Sequence, residues 1–414
     1  MPTKVRILPG AQMKNKRPPS WRPFACYTLA NMSSSKSKLQ TLGLRTWIEI
    51  DRKAIAHNFK TFRKLVPKET KLLAVVKSNA YGHNLTEFAE EAARLGADML
   101  GVDSLVEALA LRKAHITTPI LVLGYTLPEL YPEAHARNVA ITVSSWEALR
   151  GAARAGARQP LTIHLKVDTG MHRQGFLLGD LPKIVAFLER NRAKVHLGGL
   201  YTHFAGAKDP DDRAYTIEQL QEFFMWRDAL VKAGFSPIVH AGATAGMLLY
   251  PEAHFDMVRV GIGMYGVWPS DAAKKKLHKA LIFTPVLSWK AMVSEVKKIP
   301  KGSSVGYDRT HRVKRDTILA VCPVGYWHGY PRALSSKGSV LLRGKRAPVL
   351  GRVSMDMIVV DVTGIVGVRV GDEVTLIGTN GREYISADGV AKAAGTSAYE
   401  LLTRLNPLIR RIYQ

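Results

Sequence analysis

Cysteine is nearly absent from this 414-residue chain: Cys26 and Cys322 are the only two, far apart and in no metal-ligand spacing. That excludes a disulfide framework and a thiolate metal site, leaves no metal to be expected, and fits a reducing, cytoplasmic compartment. Long apolar runs are missing too. None approaches the roughly 20 residues that a membrane span requires, so the sequence reads as a soluble protein without a membrane partner. Acidic residues are scarce, 34 against 59 Lys and Arg, for a net charge of +25. None precedes Glu49, and the same opening segment carries Pro18-Pro19 and Ser33-Ser34-Ser35. Residues 1–44 therefore read as a disordered basic extension, faintly like a transit peptide. Elsewhere the positive charge is scattered, with no helix-turn-helix, zinc finger or aromatic-basic platform. Nucleic acid is not an expected partner.

What is there begins with Leu72-Leu73-Ala74-Val75-Val76, an apolar run of strand length that ends abruptly in Lys77. A lysine at the tip of a buried strand either snorkels into solvent or has a task, and Schiff-base chemistry is the task an amine so placed can perform. Short apolar strands recur at 99–102, 120–123, 140–143, 161–167, 199–204, 238–241 and 257–262, with amphipathic stretches between them. Eight strands alternating with helices imply a (β/α)8 TIM-type barrel. An open doubly wound sheet is the alternative, but no Gly-x-Gly-x-x-Gly turn follows the first strand. After Trp268 the rhythm changes to strand-like runs without helices between them. The expected organisation is the extension, a barrel over 45–278, and a mostly β C-terminal domain over 279–414.

In a barrel, reactive groups stand at the C-terminal ends of the strands. Those ends carry Lys77, Arg173, His203, Thr244 and Arg259. Taken singly, Arg173 reads as a loop charge and His203 as a structural hydrogen-bonder, whereas Arg259 among apolar neighbours needs a buried partner. Their convergence on one rim is the signal. Gly242-Ala243-Thr244 and Gly261-Ile262-Gly263 read either as plain turns or as a phosphate cradle. A lysine opposite such a cradle points to pyridoxal 5′-phosphate as cofactor.

Four stretches carry a specific likeness: Ala74-Val75-Val76-Lys77-Ser78-Asn79-Ala80-Tyr81-Gly82-His83, Lys166-Val167-Asp168-Thr169-Gly170-Met171-His172-Arg173, Gly302-Ser303-Ser304-Val305-Gly306-Tyr307 and Gly351-Arg352-Val353-Ser354-Met355-Asp356. With them, the chain from about Thr46 to Tyr413 resembles the alanine racemases, pyridoxal-phosphate enzymes of fold type III. The resemblance implies a homodimer that interconverts L- and D-alanine and supplies D-alanine for peptidoglycan. Lys77 would carry the cofactor and act as one base, and Tyr307 of the partner subunit would act as the other. Tyr81, His203, Thr244, Arg259, Gly261 and Ile262 would bind cofactor, with Arg259 at the pyridine nitrogen and His203 between Arg259 and Tyr307. Arg173 and Met355 would bind substrate, the first also touching the cofactor's phenolic oxygen. Lys166 matches a lysine that is carbamylated in many relatives.

Several positions depart from the family pattern. Ala243 stands where an asparagine is common, Trp327-His328 where an Ala-Asp pair is common, Lys208 near an acidic position, and Asn406-Pro407 where a pocket-narrowing tyrosine is expected. These leave serine or a broader range of amino acids as the alternative substrate. A cofactor carrier without turnover and the related decarboxylases are the remaining readings. The β domain argues against the first, and Arg259 in place of an acid against the second.

Overall fold

A computed structural model describes residues 41–156 and 159–414; all but the last four residues of the expected basic extension lie outside them. Strand β1 (Thr46–Ile50) comes first, then a helix at Arg52–Lys64 started by Asp51, whose carboxylate accepts the N–H groups of Lys53 and Ala54. Eight parallel strands follow: β2 (Lys71–Val75), β3 (Met99–Val102), β4 (Ile120–Val122), β5 (Val139–Val143), β6 (Leu161–Lys166), β7 (Val195–Tyr201), β8 (Ile238–His240) and β9 (Met257–Val260). Crossover helices cover their outer faces, which is why β2 and β4 read as unbroken apolar runs. The strands pair in the order β8-β7-β6-β5-β4-β3-β2-β9. The last seam, between β8 and β9, is joined by one bridge just past β8, where the Arg259 N–H donates to the Gly242 carbonyl at 2.9 Å.

The barrel lumen is split by polarity. Leu73, Val75, Leu121 and Met257 form an apolar cluster on one side. On the other, Thr142, His164, Lys166, Tyr201, His240 and Arg259 are all buried. Gly199 on β7 makes room for this half. A Cβ there would collide with the His164 ring, and the register of β6 against β7 shifts beside it, between Ile163 and His164.

Beyond the barrel run β10 (Leu287–Met292), β11 (Glu295–Ile299), β12 (Ser304–Val305), β13 (His311–Arg312), β14 (Thr317–Cys322), β15 (Ser339–Leu342), β16 (Lys345–Pro348), β17 (Ile358–Asp361), β18 (Glu373–Asn380), β19 (Glu383–Ile385) and β20 (Arg411–Tyr413). One sheet has the order β16-β15-β18-β10-β1-β20 with β19 added to β18, and a second is β11-β14-β17. The architecture is the expected one, a (β/α)8 barrel followed by a mostly β domain. One boundary needs correction. β1 pairs antiparallel with β10 and parallel with β20, so residues 46–50 belong to the β domain's sheet and not to the barrel begun at 45. A strand followed by a helix looks like a barrel unit in sequence; only the long-range pairing tells them apart.

The chain's end also anchors the loop after β2. Arg411 Nε donates to the Gly82 carbonyl at 3.0 Å, and Tyr413 Oη to the His83 carbonyl at 2.7 Å. Gly82 has φ +84°, and an added Cβ would strike the Leu402 carbonyl. Gly82→Ala is therefore expected to lower unfolding free energy by about 2–3 kcal/mol. A urea midpoint equal to that of the parent would show that this close approach is not required.

Candidate active site

Lys77 stands two residues beyond the end of β2. The four residues after it, Ser78, Asn79, Ala80 and Tyr81, all have left-handed backbones, with φ of 56°, 56°, 50° and 51°. Each non-glycine residue in that region costs roughly 1–2 kcal/mol, so the turn must be held. Glu107 does much of the holding. Its Oε1 accepts the N–H groups of Ser78 (2.7 Å) and Asn79 (3.3 Å), and its Oε2 accepts that of Asp103 (2.8 Å). Ser104 caps the helix Leu105–Lys113 through the Glu107 N–H, which leaves the Glu107 side chain free to bridge the two loops. Asp103, on the second loop, pairs with Lys77 Nζ at 2.8 Å.

Across the mouth lies Arg259, fully buried. Nη1 donates to His240 Nδ1 (2.9 Å) and the His240 carbonyl (3.0 Å); Nη2 donates to the Thr202 and Ala241 carbonyls (both 2.8 Å) and reaches His203 Nδ1 at 3.3 Å. Nε–H is the one donor of the guanidinium without an acceptor among the described residues, and Arg259 lines the cavity. Burial brings the guanidinium down to about 10, still charged at neutral pH. Burial and the adjacent arginine push His203 down to about 3, burial pushes His164 down to about 3, and burial holds His240 well below its ordinary value. A neutral His203 that accepts at Nδ1 carries its proton on Nε2.

The cavity between these groups measures about 480 Å³, the size of a cofactor pocket. Lys77, Tyr81, Arg173, His203, Thr244, Arg259, Gly261 and Ile262, all expected at the site, line it together. Burial and Asp103 raise Tyr81 to about 12, keeping it a neutral donor. A Cβ on Gly261 would come within 2.9 Å of Tyr81 Oη, so the glycine keeps an anion cradle open. The cradle differs in one detail from expectation. The N–H groups of Gly261 and Gly263 both turn to Thr244 Oγ1, at 3.1 and 3.5 Å, leaving the Thr244 hydroxyl proton and the Ile262 N–H, which opens its turn, to face a ligand. Lys166 also lines the cavity. Burial, then Arg173 and Arg259, lower its amine to about 8, and it donates to Gln174 Oε1 at 3.0 Å.

Two expected site residues are elsewhere in this chain. Tyr307 lies on the turn after β12 and Met355 between β16 and β17; they are 66% and 55% exposed, and neither lines the cavity. Residues 50–269 match the family of alanine racemase N-terminal domains and residues 286–413 that of alanine racemase C-terminal domains. An alanine racemase of Desulforamulus reducens is 40% identical over 372 residues, covering 89% of this chain and 98% of the relative. One from Methanococcus maripaludis is 38% identical with the same coverage. The crystal structure of alanine racemase from Bacillus anthracis with bound L-Ala-P has a TM-score of 0.84 at 36% identity, covering 89% of this chain and 95% of that one.

The chain belongs to the alanine racemase family. Its relatives are isomerases. Tyr399, in the helix Ala398–Thr403, lines the cavity with its ring 6.2 Å from that of Tyr81 and the Lys208 ammonium 4.5 Å above it. At the expected departure Asn406-Pro407, Asn406 donates to the Trp327 carbonyl and does not line the cavity. Sequence reasoning also missed Asp103 and Glu107; their only signal was the Ser104-x-x-Glu107 capping pattern at a barrel loop.

Replacing Glu107 by alanine orphans three N–H groups on two loops. A hydrogen bond to a charged acceptor contributes about 1.5–3 kcal/mol, so Glu107→Ala should speed amide exchange at Ser78–Gly82 by about tenfold or more. Mass spectrometry of exchanged peptides measures it. Exchange confined to the original rate would mean the turn is held from elsewhere.

Proposed function

We propose that the chain interconverts L- and D-alanine, using pyridoxal 5′-phosphate bound in the barrel mouth. The observation that carries this reading is one cavity holding a lysine amine, a buried arginine with a single free N–H, and a neutral anion cradle. Lys77 would hold the cofactor covalently; Arg259 Nε–H would donate to its pyridine nitrogen. Tyr81, Thr244 and Ile262 would take the phosphate, with Gly261 leaving room for it, and Arg173 the phenolic oxygen. The cofactor supplies electron withdrawal that acidifies the substrate's α-proton.

The chain's own groups then do the proton work. The Lys77 amine, freed by substrate, takes or returns the α-proton on one face. Tyr307 of the partner subunit does so on the other. A phenol is a poor base at neutral pH unless its anion is stabilised, and the His203 Nε2–H would donate to it. Because a guanidinium keeps its proton, Arg259 moderates the ring's electron withdrawal and so favours simple proton return. Met355 of the partner subunit would offer its N–H to the substrate carboxylate. Lys166, with a substantial neutral fraction near pH 8, is suited to carbamylation beside Arg173.

The exposed patch on the β domain supports a homodimer with shared sites. Tyr307, Tyr326, Trp327, Met355 and Met357 are all large and exposed. The Tyr326 and Trp327 N–H groups donate to the Ser354 and Met355 carbonyls, and Asp308 pairs with Arg352, which ties these segments into one face. Tyr399 in the cavity favours a small side chain, hence alanine over serine or a broad range. D-alanine supply for peptidoglycan and a cytoplasmic location complete the reading.

Purified protein should equilibrate D- and L-alanine, with the highest kcat/KM for alanine across an amino-acid panel, and Lys77→Ala should abolish turnover. A retained rate in Lys77→Ala would sink the mechanism. Mixing is the sharper test of the shared site. Lys77→Ala and Tyr307→Phe chains, each inactive, should regain about a quarter of parental activity when dissociated and recombined at equal amounts, because half of the dimers are mixed and each has one intact site. No recovery would place Tyr307 in the site of its own chain.

A further inference from the structure

The lower end of the barrel contains a separate cavity of about 250 Å³ that the proposed reaction does not use. Its polar wall is made by His135, Asn138, Thr162, His164 and His196, and no acidic residue lines it. Gly198 helps to open it, since a Cβ there would press against Thr162 Cγ2 at 2.7 Å. His164 is the informative member. It is 1% exposed, its Nδ1 is 2.9 Å from His240 Nε2, and its Nε2 has no acceptor among the described residues.

The direction of every hydrogen bond in this column is set by Arg259, which can only donate. Its Nη1–H points at His240 Nδ1, so His240 keeps its proton on Nε2 and donates it to His164 Nδ1. His164 in turn carries its proton on Nε2, within a residue that faces the lower cavity. That N–H opens onto a space flanked by a hydroxyl, an amide and two further imidazoles. The complement to that wall is a small ligand with two acceptor oxygens and a negative charge.

We propose that the floor of the barrel is a second ligand site for a small carboxylate, coupled through His164 and His240 to Arg259. An acceptor on His164 Nε2–H strengthens His164 Nδ1 as an acceptor, and the effect passes through His240 to the guanidinium. Arg259 shared more strongly downward donates more weakly through Nε. Occupancy at the floor thus weakens the arginine's hold on whatever accepts at the mouth. The coupling rests on the proposed role of Arg259; the binding does not.

Formate is the probe, titrated by calorimetry into holoenzyme whose cofactor has been fixed to Lys77 by borohydride, so that the cofactor's place is filled; formate held at the substrate-carboxylate place persists in the variant below and is subtracted. One formate per protomer is expected, with a Kd on the order of millimolar, typical of a ligand with few contacts. Ala140→Leu, which fills the floor at a residue lining only that cavity, should abolish it. The visible absorption of unreduced holoenzyme should shift with formate in the parent and not in Ala140→Leu. If Ala140→Leu fails to fold, Thr162→Val should weaken formate about fivefold by removing one donor. A flat titration, or unchanged binding in the variant that folds, overturns the site. Binding without a spectral shift overturns the coupling. Racemisation by the unreduced holoenzyme without formate reports separately on the proposed function.

Discussion

The barrel is organised by one buried positive charge. Arg259 has no carboxylate partner; its guanidinium is balanced by three backbone carbonyls and two imidazoles. Removing such a charge from water costs several kcal/mol unless most of its N–H groups are satisfied. The consequences spread outward. His240 and His203 are held as acceptors, and the Tyr201 ring stacks on His240 at 4.8 Å with Arg259 5.2 Å above its face. The Tyr201 hydroxyl meets Thr142 at 2.8 Å, carrying the polar network to β5. Even the closing seam of the barrel passes through the Arg259 N–H. A lumen filled with leucine and valine would be simpler to stabilise, but it could not present one oriented N–H at the mouth.

Opposite this rigid column stands a turn under backbone strain. Four left-handed residues in succession carry roughly 4–8 kcal/mol of unfavourable conformation, and they are held by parts distant in sequence. Glu107 ties them to the next barrel loop, while Arg411 and Tyr413 reach in from the last strand of the chain. The β domain therefore contributes to the barrel's mouth within its own chain. Strain kept by surrounding contacts fixes where an amine points better than a relaxed loop would.

Most of the fold was legible because period and order carry it: alternating strand and helix to about Trp268, strands thereafter. The rim residues were legible for a related reason, since a charged or polar residue ending an apolar strand has few explanations. What stayed hidden depends on pairing or geometry beyond local pattern. β1 looks like a barrel strand until its partners β10 and β20 are known. Ser78, Ala80 and Tyr81 have no preference for a left-handed backbone; only Asn79 and Gly82 hint at it. Tyr399 carried no local signal, because only the placement of its helix brings the ring to the cavity. His164 and His240 sit inside strands and read as isolated core histidines, although together they form a column.

The cavity's charge shows why its chemistry needs a ligand. Lys77, Lys166, Arg173, Lys208 and Arg259 line it against Asp103 alone. The cations repel one another through a poorly solvated space, and after burial this repulsion from Arg173 and Arg259 is the next cause that lowers the Lys166 amine. A bound anion relieves it, so its binding stabilises the folded chain by mass action. The same imbalance sets what is accepted. A phosphate or carboxylate gains from every one of these groups, whereas a cation would have to displace the short Lys77–Asp103 pair before meeting a favourable contact. Affinity for anions at the mouth is thus built into the strand ends themselves.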